Sequence, residues 1–150
     1  MKTIIVALLL FFSAASNAKP LKFEFDTVDD KQVINTDISE MVYIGETMKW
    51  ILVARWEPST NSNFVIMHSV TQYREVQPTE INSVSYERIF SYGFINCQEG
   101  VLHLLNEFYT DKDNVIQLAN SFNQYEYMVN LNANVILQTL LIYTCRSDST

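Results

Sequence analysis

Ser91-Tyr92-Gly93-Phe94-Ile95-Asn96-Cys97-Gln98-Glu99-Gly100-Val101-Leu102-His103-Leu104-Leu105-Asn106-Glu107-Phe108-Tyr109 decides the fold. It reads as two extended runs joined by a short turn, because β-branched and aromatic residues crowd both sides of a polar break. With Gln98-Glu99-Gly100 as a three-residue turn, Gly100 supplies the left-handed residue such turns need. That register sets Cys97 against Val101, Ile95 against His103 and Phe94 against Leu104. One face then carries Phe90, Tyr92, Phe94, Leu102, Leu104 and Phe108. The other carries Ile89, Ile95, Cys97, Val101, His103 and Leu105. Both faces are largely apolar, so the hairpin is expected at the centre of a sheet covered on two sides. One cover is the segment bearing Cys145; the second is either other strands or a partner subunit.

Working outward, residues 1–18 read as a signal peptide. Lys2 provides the positive start, Ile4 to Phe12 an apolar run, and Ser16-Asn17-Ala18 the small residues before a cleavage point. The apolar run is far shorter than the roughly 20 residues of a spanning helix, so no membrane span is expected. Residues 19–150 are then one exported domain, with the periplasm, cell surface or extracellular space as its location. Without the leader the net charge is −8, one more negative than the −7 of the whole chain. With no Lys/Arg run, that charge argues against nucleic acid and anionic membranes as partners.

Short polar breaks divide the rest. Leu21 to Asp26 and Gln32 to Thr36 read as strands around a turn at Val28 to Lys31. Residues 37–45 mix helical and strand signals. Thr47 to Trp56 and Phe64 to Tyr73 read as strands, with loops at Glu57 to Asn63 and at Gln77 to Glu80. Val115 to Ala119 and Tyr125 to Asn130 read as shorter strands. The tail, Asn132 to Cys145, alternates like a strand and also carries the pairs Ile136/Leu140 and Leu137/Leu141 at helical spacing. Periodicity does not decide it. Cys97 and Cys145 are the two cysteines, and in an exported chain they fit an oxidising compartment, as a disulfide or as two free thiols.

Motifs for catalysis are lacking. His68 and His103 have no second ligand at zinc spacing, and His103 on a sheet face reads as a partly buried, hydrogen-bonded residue. Asp111-Lys112-Asp113-Asn114 opens like a calcium loop, but Ile116 and Phe122 stand at the positions that need Gly and Glu. The glycines beyond the leader, Gly45, Gly93 and Gly100, make no phosphate loop. Not an enzyme, with no cofactor and no metal, is the expectation. The many Tyr, Phe and Trp residues either fill a core or form a protein-binding face.

The order of these pieces resembles the surface-adhesin protein E family of small exported bacterial proteins. Tyr92-Gly93-Phe94-Ile95-Asn96-Cys97 carries most of the likeness, followed by Leu102, Leu104, Phe108-Tyr109, Val129-Asn130-Leu131 and the apolar run ending in Cys145. Val33 to Asp37 and Trp50 to Pro58 add weaker matches. The resemblance implies an α+β fold: an antiparallel sheet of about six strands, a C-terminal helix packed on it, and one disulfide, Cys97–Cys145. It also implies homodimers and binding of host extracellular-matrix or plasma proteins. The expected binding face is Phe90, Tyr92, Phe94, Leu104 and Phe108. A periplasmic structural or accessory protein without a host ligand is the alternative.

Overall fold

A computed structural model describes residues 23–61, 63–78 and 84–146. The signal peptide at 1–18, Leu21 and the loop residues Thr79 and Glu80 lie outside them. The described chain runs through nine strands, β1 (Glu24–Val28), β2 (Lys31–Asn35), β3 (Val42–Glu46), β4 (Trp50–Pro58), β5 (Phe64–Pro78), β6 (Ser85–Asn96), β7 (Val101–Thr110), β8 (Ile116–Ser121) and β9 (Met128–Asn130). A 3-10 turn, Ile38–Glu40, precedes β3, and helix α1 (Val135–Cys145) follows β9. Residues 37–45 therefore hold both signals in succession. Asp37 caps the turn by accepting from the Ser39 amide at 2.9 Å.

Seven strands form one antiparallel sheet in the order β3-β4-β5-β6-β7-β8, with β9 beside the first half of β7. The expected antiparallel sheet of about six strands has seven, with β8 and β9 sharing one edge of β7, and β1 and β2 form a separate two-stranded sheet. Strands β1 and β2 make a two-stranded hairpin through Asp29 and Asp30, at φ 49° and 62°. Aspartate tolerates that left-handed backbone better than most residues, and two such residues give the turn whose twist matches a hairpin. The Ile34 amide donates to the Asn114 carbonyl at 3.0 Å, which ties β2 to the loop before β8.

Two cores follow from the alternation of side chains. On one face of the large sheet, Leu52, Ala54, Val65, Met67, Ile95, Leu102 and Leu104 are buried under Leu131, Leu140 and their helical neighbours. On the other, Val70 and Phe90 are buried under Phe23, Ile34 and Met41. The helix and the β1–β2 hairpin thus cover opposite faces, and the second cover comes from the same chain.

The central hairpin is shifted by one residue from the sequence reading. Asn96 pairs with Val101, Ile95 with Leu102 and Phe94 with His103. The cause is Asn96, whose Oδ1 accepts from the Gln98 and Glu99 amides at 3.1 and 3.3 Å. Its carbonyl accepts from the Gly100 amide at 2.9 Å. This side-chain turn winds four residues, Cys97 to Gly100, where three were expected. Each shifted side chain then changes face. Leu102 and Leu104 point to the helix, and His103 shares a face with Phe94.

Between Tyr92 and Gly93 the pairing slips again, from Asn106 to Leu104, so Leu105 is an extra residue. A Cβ on Gly93 would lie 2.2 Å from the His103 carbonyl oxygen, so only glycine allows the two backbones to close there.

Cys97, in the turn, is bonded to Cys145 in the last turn of α1, with a Cα–Cα distance of 5.6 Å. Asn134 caps the helix by accepting from the Leu137 amide at 3.0 Å. Leu140 is buried, and Leu137 and Leu141 pack beside it on the sheet. Val135, Ile142 and Tyr143 are exposed on the outer surface of the helix.

Candidate functional site

The sheet face under the β1–β2 hairpin is where aromatic and hydrogen-bonding groups meet. Rows of cross-strand neighbours run across it: Arg55, His68, Tyr92 and Asn106 in one, Ile66, Phe94 and His103 in the next. The hairpin covers only part of this face. Phe23 seals Phe90 edge-on at 5.5 Å between ring centroids, and Phe108 at 6.2 Å. Phe25 also meets Phe108, at 5.2 Å between ring centroids, and stays 47% exposed.

Two depressions result, and Tyr92 divides them. The first is a cleft of about 340 Å³ lined by Phe23, Phe25, His68, Tyr92, Asn106 and Phe108. The second is an open groove of about 240 Å³ lined by Ser59, Phe64, Ile66, Tyr92, Phe94 and Gln124. Phe64 and Phe94 meet edge-on at 5.4 Å, and Phe94 stacks on His103 at 4.7 Å. Beyond His103 the ring of Tyr125 stands 69% exposed, near the exposed Met128 that pairs with His103, while Tyr127 stacks on Phe122 on the opposite face.

The two histidines differ. His103 is buried and has an ordinary partner, with Nδ1 at 3.0 Å from the Gln124 carbonyl, as its sheet position suggested. His68 is 1% exposed, and neither ring nitrogen has a hydrogen-bond partner among the described residues. Burial, and secondarily the charge on Arg55, pushes its basicity down to about 4. Sequence reasoning weighed His68 only as a metal ligand. Its place at the inward position between Ile66 and Val70 was the available signal that it would be buried.

On the helix-side face, Tyr109 donates its hydroxyl to Glu107 Oε2 at 3.0 Å, and Tyr86 sits between Tyr109 and Tyr73. Burial raises Glu107 above the usual carboxylate range, while the Tyr109 hydrogen bond pulls it back. Burial, followed by the Glu107 charge, also raises Tyr109.

The five residues of the expected binding face are not one surface. Leu104 is 5% exposed and faces the helix, which is the consequence of the shifted register. Phe90 is fully buried beneath Phe23. Phe108 lines the cleft, Tyr92 lines both depressions, and Phe94 lines the open groove. Asp111 Oδ1 accepts from the Asp113 and Val115 amides, which accounts for that segment as a turn. Among the described residues no three His, Cys, Asp or Glu side chains are gathered to hold a metal. Among them, too, no helix is long and apolar enough to cross a membrane. Comparisons with protein-family models, curated proteins and solved structures give no match.

Proposed function

We propose that this protein is an exported binding module that contacts another protein through the open half of the aromatic sheet face. The observation that carries the reading is the groove of Phe64, Ile66, Tyr92 and Phe94, left uncovered by the hairpin and continued past His103 by the exposed Tyr125 and Met128. A contiguous apolar-aromatic patch on a small domain is the usual mark of an interaction surface, and tyrosine is enriched among residues that dominate binding. The acidic balance of the chain offers no counterpart for heparin-like ligands. The resemblance to surface adhesins adds host matrix or plasma proteins as the class of partner, and homodimers as the state of the protein.

The test is to measure binding to a panel of immobilised matrix and plasma proteins with the parent protein, Tyr92→Ala and Phe94→Ala. Each variant is checked by circular dichroism for retained folding. The reading expects at least one partner, and a loss of about tenfold or more for each variant. Equal binding by folded variants would remove the groove from the account. Cell fractionation separates an adhesin, which must reach the outside, from an accessory protein confined to the periplasm.

A further inference from the structure

His68 is a polar group that the fold buries and does not satisfy. Both ring nitrogens lack a partner among the described residues, and the side chain is 1% exposed. A buried polar group in that state costs free energy unless something bonds to it. The imidazole lines the 340 Å³ cleft, whose size is at the low end for small-molecule sites.

The rings of Phe23 and Tyr92 approach the imidazole at 4.3 and 4.9 Å, and Phe25 and Phe108 complete the apolar lining. Among the described lining residues there is no Lys, Arg, Asp or Glu, and Arg55, the cross-strand neighbour of His68, does not line the cleft, so the wall itself favours an uncharged occupant. At neutral pH His68 is uncharged and presents one N–H donor and one lone pair. Tyr92 and Asn106 are the other lining residues with hydrogen-bonding groups, and Asn106 Nδ2 already donates to Ser121 Oγ at 2.8 Å.

We propose that this cleft binds a small, uncharged, planar ring carrying a hydroxyl, seated among the phenylalanine rings with its oxygen on the His68 imidazole. A hydroxyl can donate to the imidazole lone pair or accept from its N–H, so it pairs with a ring nitrogen in either tautomer. The rings supply the apolar contact, and aromatic pairs add to it when edges meet faces. The cleft shares only Tyr92 with the open groove, so either site can fail without the other.

The test titrates p-cresol and toluene, equal in shape and differing in one hydroxyl, into the purified protein labelled with 15N at histidine. The expected result is that p-cresol moves the His68 ring-nitrogen resonances in a saturable way and binds at least about tenfold tighter than toluene. A site built to bond a hydroxyl rejects the analogue that lacks it. In folded His68→Phe the preference for p-cresol should disappear. N-acetyl-tyrosinamide in parallel distinguishes the sources of such a ring. Affinity equal to that of p-cresol assigns it to a tyrosine side chain of a partner, and markedly weaker binding assigns it to a free molecule. His68 resonances that stay in place as p-cresol is added, or equal binding of toluene, would overturn the proposal.

Discussion

At His68 the folded chain holds an imidazole neutral down to about pH 4, whereas the unfolded chain protonates it near its ordinary 6.5. Between those values the unfolded state binds more protons, so stability falls as pH falls through the window. The full difference corresponds to roughly 3 kcal/mol at most. Urea denaturation of the parent and His68→Phe from pH 7 to pH 4 should show a steeper acid loss in the parent. Parallel curves would mean that His68 is not held neutral. Glu107 has the opposite sign. Its folded value is raised by burial, so its stabilising share is present below the ordinary carboxylate value and is lost as pH rises. Glu107→Gln keeps an acceptor for Tyr109 and should stabilise the protein at pH 7 but not at pH 4. Beyond the inward place of His68 in its strand, neither residue was legible as special, since the burial of His68 depends on β1–β2 closing over a distant strand and that of Glu107 on neighbours such as Tyr109 on the opposite face.

The elements were more legible, because alternation and polar breaks mark strands locally. What failed was register. Asn96 was read as the end of a strand, yet its side chain organises the turn, and one residue of slip moved Leu102, Leu104 and His103 to new faces. The tail resisted for a different reason. Nearly every position from Val135 to Cys145 is apolar, so neither period stands out, and the helix is fixed by its Asn134 cap and by docking. Leu140→Asp would bury a charge without a partner and should prevent folding, seen as insoluble expression or loss of the cooperative transition. Gly93→Ala, which sets a methyl against the His103 carbonyl, should cost several kcal/mol by denaturation. The disulfide closes a separation of 48 residues between turn and helix. In the chain-entropy picture it contributes about 4 kcal/mol, so Cys145→Ala should lower stability by about 2–5 kcal/mol.

For the whole molecule, the helix and the β1–β2 hairpin cover opposite faces of one sheet, but the hairpin is too short to cover its side. The expectation of a sheet with a C-terminal helix and a disulfide followed from the resemblance, and the structure has that form. The uncovered remainder could not be read in advance, because it depends on where five-residue strands end over a strand of fifteen. That remainder, with Tyr92 and Phe94 at its centre, is the surface on which the functional reading stands. Binding there should run through shape and apolar contact, since ion contacts are screened within about 8–10 Å in moderate salt and apolar ones are not. The most direct measurement is the affinity of the parent protein for its panel partner at low salt and at about half-molar salt. The account predicts nearly equal affinity at the two, with Tyr92→Ala and Phe94→Ala weak at both. A steep collapse at high salt, with both variants binding like the parent, would contradict it and place the site on the acidic surface.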